Sequence, residues 1–134
     1  MLHITLREGE KVVINGAVLR STGRAEIVVE NAAAILRGRD VMSPEEANTP
    51  ARRLYFACML AYLDPPNLTQ YQSQILALFE DFVEAVEAPE AKAHCVSFAR
   101  NVAYCNFYRA LIDCRALIAY EAQALARLAP ANAA

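Results

Sequence analysis

The hydrophobic period of this chain changes once, near residue 42, and every fold it can adopt must respect that change. Up to that point apolar and polar side chains alternate. Leu2, Ile4 and Leu6 interleave with His3, Thr5 and Arg7, and Ile27 and Val29 do the same within Ala25 to Glu30, which is the period of a strand with one buried face. Gly9 permits a corner after the first run. Asn15-Gly16 separates Lys11 to Asn15 from Ala17 to Ser21, and such a pair suits a type I′ hairpin because both central residues need positive φ. Thr22-Gly23 marks another turn, and Ala33 to Arg37 supplies a fifth short strand before Gly38. The first forty residues are expected to form an antiparallel meander of about five strands.

After residue 42 the period is helical. Ser43-Pro44-Glu45-Glu46 is a helix start with cap, proline and back-bonding carboxylate in order, and Thr49-Pro50 repeats the device, so a short helical turn is followed by a longer helix from about 50 to 63. Asp64-Pro65-Pro66 stops it. Asn67 with Gln70 resembles a further capping box, opening a helix to about residue 87 with Glu80, Asp81, Glu84 and Glu87 on a solvated face. Pro89 starts a third helix, and a break near Ala103 to Asn106 precedes the last. The fold class is therefore α+β, with a β module over residues 1–42 and a bundle of about four helices, in two antiparallel pairs, over 43–128. Residues 129–134 are expected to be a frayed tail.

The 134 residues are enough for a single core, and with 56% apolar and 21% charged residues a disordered chain is excluded. No uncharged apolar run approaches the roughly 18 residues of a membrane span. The amino-terminal residues lack the basic, apolar and small-residue regions of a secretory signal, so a cytoplasmic location is expected. Cys58, Cys95, Cys105 and Cys114 form no CxxC pair and all fall in helical stretches, which favours buried reduced thiols over zinc or redox chemistry. Residues 1–53 carry eight Lys/Arg against seven Asp/Glu, and residues 54–134 five against eight. Nucleic-acid contact would thus depend on a few placed arginines and not on bulk charge.

No catalytic constellation is legible. The four glycines make no phosphate-binding loop, and His3 and His94 stand in different modules without a second ligand nearby. His3 reads as a polar strand residue and His94 as a surface helix residue. No metal, cofactor or enzymatic activity is expected.

Three stretches carry a resemblance to a known family. "REGEKVVINGAV", "VMSPEEANTPARRLYFACMLAYLD" and "NFYRALIDCRALIAYE" together resemble the FlbT family of alphaproteobacterial flagellar regulators, over about residues 1 to 127, with "NTPARRLYF" the most specific. The resemblance implies repression of flagellin synthesis through the 5′ untranslated region of flagellin mRNA, and a functional link with a small helical partner, the FlaF family. More distantly, "MLHITLREGEKVVINGAV" is similar to the opening of the CsrA/RsmA translational regulators, five-stranded proteins whose first and fifth strand edges form an RNA site across a homodimer. That similarity implies RNA contact at Thr5, Arg7, Ile35, Leu36 and Arg37, and matches Leu2, Gly9 and Glu10 as well. It departs at Leu6, where those regulators carry a basic residue.

From the residues alone, Arg7 and Arg37 on a sheet edge suit either RNA contact or protection of that edge against strand pairing. Arg52 and Arg53 fall in the first turn of a helix, where the dipole disfavours cations. Either they meet RNA or a partner's carboxylates, or one of them locks helix to sheet through Glu45 or Glu46. Tyr104, Phe107 and Tyr108 have the composition of a stacking platform but the position of core residues. A homodimer through the β module is expected from its free edges. The competing function is an adaptor or chaperone of flagellar assembly, with the acidic helices binding flagellin or a FlaF-like protein.

Overall fold

A computed structural model describes residues 2–128; the expected tail over 129–134 lies outside them. Five strands, β1 (Leu2–Leu6), β2 (Lys11–Ile14), β3 (Ala17–Arg20), β4 (Ala25–Val29) and β5 (Ile35–Arg37), precede four α-helices, α1 (Pro50–Leu63), α2 (Leu68–Glu84), α3 (Pro89–Ala103) and α4 (Phe107–Leu128). The α+β class and the order of elements agree with the sequence.

The strands do not form a meander. β1 pairs antiparallel with β4, Ile4 opposite Ile27, while β2 lies between β3 and β5 in a second sheet. Burial explains the choice. Ile4, Leu6 and Val12 are enclosed with Ile14, Ile27, Val29 and Ile35, which requires the β1/β4 sheet to fold over one face of the other sheet. The other face of that second sheet is buried too. Val13, and Leu36 opposite it, belong to the same core as Leu54, Cys58, Phe107 and Leu111. Consecutive Val12 and Val13 thus serve two cores, and the change of secondary structure at residue 42 is crossed by continuous packing.

The turn chemistry follows the sequence. Asn15 and Gly16 have φ of 50° and 86°, and Gly9 of 80°, values that suit Gly and, less often, Asn. Asn15 Oδ1 also accepts from the Ala34 N–H at 2.9 Å, which extends the β2–β5 pairing. The outer edge of β5 is covered: the Tyr62 hydroxyl accepts from the Ile35 N–H at 3.0 Å and faces the Ile35 carbonyl at 3.4 Å. A second chain could pair there only by displacing Tyr62, whereas β1, β3 and β4 each pair with one strand alone.

Among the helix starts, Glu46 accepts from the Ser43 N–H at 3.0 Å, and the short helical turn expected there spans Pro44–Glu46. Thr49 caps α1 by accepting from the Arg52 N–H at 3.2 Å. The Asn67 box does not form. The Asn67 amide donates instead to Asp64 at 2.8 Å, and the Tyr71 hydroxyl donates to the same carboxylate at 2.6 Å, which holds its pKa below the usual value. The helices form the two expected pairs, α1 with α2 and α3 with α4, joined through α1 and α4. α1 packs on α2 and α4, and α4 on α3, while α2 and α3 meet where Phe79 stacks on Phe98 at 5.5 Å and where Phe82, with Val86 just beyond the end of α2, clusters with Ala91 and Cys95. An open apolar groove is left between them.

Cys58, Cys95 and Cys114 are buried free thiols, and burial pushes Cys58 up to about 12. Cys105 corrects the expectation: it is exposed, at φ 59° in the turn joining α3 to α4. Among the described residues no helix is long and apolar enough to cross a membrane, and no group of three His, Cys, Asp or Glu is placed to hold a metal.

Candidate nucleic-acid interface

Thr5, Arg7 and Arg37 come together. They line one surface cleft with Glu8, Gly9, Glu10, Gly38, Arg39 and Asp40, at the corner where β1 turns into β2 and β5 ends. Arg37 lies opposite Val12 on β2, on the face covered by β1 and β4. From there its guanidinium crosses between the sheets, donating to the Thr5 carbonyl at 2.6 Å and to Glu10 Oε2 at 2.7 Å. Arg37 therefore laces the two sheets together.

The cleft's carboxylates are largely committed. Glu10 Oε1 accepts from the Arg7 N–H at 3.0 Å, and that bond, followed by the one from Arg37, lowers the Glu10 pKa. Asp40 is engaged by Arg115 at 2.8 Å. Arg115 also donates to the Tyr55 hydroxyl at 3.2 Å, which donates to the Asp40 carbonyl at 2.7 Å, so α1 and α4 anchor the rear wall. Arg7 makes no ion pair among the described residues, and the Arg39 side chain is 95% exposed with Asp40 only at 4.0 Å. What faces solvent is a pair of uncommitted guanidiniums opposed by Glu8, suited to a phosphate or a base edge. Arg39 was missed by sequence reasoning, although its spacing from Arg37 across Gly38 is visible.

The remaining residues sort differently. Ile35 is half-buried beneath Tyr62, and Leu36 is 1% exposed, with its side chain in the core shared with the helices. Leu36 therefore offers a ligand no side-chain contact. Arg52 and Arg53 lie away from the cleft, and among the described residues neither forms an ion pair, so Glu45 and Glu46 do not lock them. The dipole is answered from elsewhere: Glu121 on α4 accepts from the Ala51 N–H at 2.8 Å, placing a carboxylate at the positive end of α1. Phe107 is core, but Tyr104 and Tyr108 are exposed, which corrects the expectation for those two. Tyr108 lies 5.8 Å from Tyr62, in a cleft shared with Leu2, His3 and Arg37.

Residues 2–125 match the family described as flagellar protein FlbT. A probable flagellum biosynthesis repressor protein FlbT of Caulobacter sp. (strain K31) is 38% identical over 125 residues, covering 92% of this chain and 95% of the relative. The flagellum biosynthesis repressor protein FlbT of Caulobacter vibrioides (strain ATCC 19089 / CIP 103742 / CB 15) is 34% identical, covering 92% and 89%. A probable flagellum biosynthesis repressor protein FlbT 1 of Bradyrhizobium diazoefficiens is 36% identical over 122 residues, covering 90% and 82%. No solved structure matches. With a family match over almost all of the described residues and relatives aligned along most of their own length, this chain belongs to the FlbT family.

Proposed function

We propose that this chain is a cytoplasmic repressor of flagellum biosynthesis that acts on messenger RNA, binding the 5′ untranslated region of flagellin mRNA at the Arg7/Arg37 cleft. Occupancy of the leader blocks ribosome access or exposes the message to decay, and no covalent chemistry is involved. The observation that carries the reading is the convergence of Thr5, Arg7, Arg37 and Arg39 on one cleft whose carboxylates Glu10 and Asp40 are already engaged within the protein. RNA loops are read by strand edges, stacking and arginine, and the exposed Tyr108 ring is near enough to the β1 side to stack a base. The relatives' names as flagellum biosynthesis repressors support the biological side.

Arg7 gives the cleaner test, because Arg37 also joins the sheets. Arg7→Ala is expected to weaken binding of flagellin leader RNA about tenfold, the scale of one charged hydrogen bond, with the melting temperature unchanged. Unchanged affinity in a gel-shift titration would reject the site. If the wild-type protein failed to shift leader RNA at modest salt while capturing a FlaF-like protein or flagellin, the adaptor reading would replace the RNA one.

A further inference from the structure

The groove between α2 and α3 is unrelated to the RNA cleft, and its walls have a repeating design. Leu76, Phe79 and Val83 line it from α2, and Val96, Ala99 and Ala103 from α3, each set spaced by three and then four residues. That is the spacing of a helix seam built to receive further helices. Leu76 and Val96 are each 59% exposed. The small Ala99 and Ala103 leave room for close approach.

Charge identifies the occupant. One residue beyond Phe79 and Val83 on α2 stand Glu80 and Glu84, exposed and without an ion pair among the described residues. On α3, Lys92 lines the groove and Arg100 follows Ala99, both exposed and likewise unpaired. The apolar groove is thus flanked by carboxylates on the α2 side and by Lys92 and Arg100 on the α3 side, so the face complements itself. Because α2 and α3 run antiparallel, with Phe79 at the level of Phe98 and Val83 at the level of Lys92, a two-fold axis along the groove places each chain's α2 over its partner's α3 at the same height. Glu84 then meets Lys92 of the other copy, and Glu80 approaches Arg100.

We infer that a second copy of this chain occupies the groove, forming an antiparallel four-helix bundle from two α2/α3 pairs. The interface is isologous, and it leaves both RNA clefts free.

The test uses the full chain and its mass in solution by light scattering. The wild type is expected at twice 14.8 kDa. A variant carrying E80K and E84K makes the face wholly basic and falls to the monomer mass; one carrying K92E and R100E makes it wholly acidic and does the same. Mixed in equal amounts, the two variants recover the dimer mass, because each acidic wall now faces a basic one, and this recovery also shows that both are folded. V96D alone also dissociates the wild-type dimer. A wild type that stays monomeric at millimolar concentration, a dimer indifferent to the charge reversals, or a mixture that remains monomeric overturns the inference. An indifferent dimer would point to the unpaired strand edges of the β part instead.

Discussion

The two ends of this molecule are held together differently, and the difference separates the roles assigned to them. Around the Arg7/Arg37 cleft the apolar cluster is small, built on Ile4, Leu6 and Val12. Its open end is closed by polar contacts, with Arg37 reaching from β5 to the Thr5 carbonyl and Glu10. In the helical part the core is continuous and almost wholly apolar, and the surface left open is an apolar groove. The cleft proposed to meet RNA is thus bordered by hydrogen-bonded arginine, and the groove proposed to meet a second copy is bordered by aliphatic side chains. Between them lies the second face of the β2/β5 sheet, which belongs to the helical core.

That shared face gives the most forceful way to break the contrast. Leu36→Ala removes a fully enclosed side chain where sheet meets helices, and is expected to cost about 2–5 kcal/mol. If the halves are one cooperative unit, the sheet and helix signals of a denaturant titration will shift together. Separate transitions would mean that the β part folds on its own and that the boundary at residue 42 is thermodynamic as well as structural.

Glu121 sharpens the comparison with a smaller effect. Glu121→Ala leaves the Ala51 N–H at the start of α1 without its acceptor, beside Arg52 and Arg53, and should lower stability by about 1 kcal/mol, as loss of a helix cap does. Chemical denaturation would measure it, and a change within error would show that Thr49 alone suffices to cap α1.

The smallest effect concerns Glu10. Its pKa in the folded chain lies below 4.5, first because the Arg7 N–H and then because Arg37 bonds the carboxylate. A carboxyl whose folded pKa is depressed adds stability that is present above 4.5 and is lost as pH falls through the folded value. An NMR titration of the Glu10 carboxyl should therefore show a midpoint below 4.5, and Arg37→Ala should move it back toward 4.5. A midpoint indifferent to Arg37 would mean that the Arg7 N–H bond alone sets it, and that the lacing of the two sheets is weak.

Much of this architecture is legible in residue order. Asn15-Gly16, Gly9 and Thr49-Pro50 act through backbone geometry and caps within a few residues, so the turns and the start of α1 follow from local chemistry. The convergence of Thr5, Arg7 and Arg37 was reached through family resemblance, and the cleft brings them together. Three features were not legible, and each depends on distant residues. Strand order was decided by the need to cover Ile4 and Leu6 as well as Val13, which no single strand's alternation records. Leu36 stands beside Ile35 with no alternation to assign its face, and that face is where the helices pack. The answer to Arg52 and Arg53 came from Glu121, 70 residues from Ala51 along the chain.

By itself, then, the sequence determined the two periods, the turns, most of the helix starts and the family. Periodicity and capping are properties of adjacent residues and need no partner to be read. Only the tertiary structure decided which arginines remain free, which strand faces are buried twice, and that an apolar groove opens between α2 and α3 with glutamates flanking one side and Lys92 and Arg100 the other. Those outcomes depend on how elements far apart in the chain divide a limited apolar surface among themselves, and that division is made only when they pack.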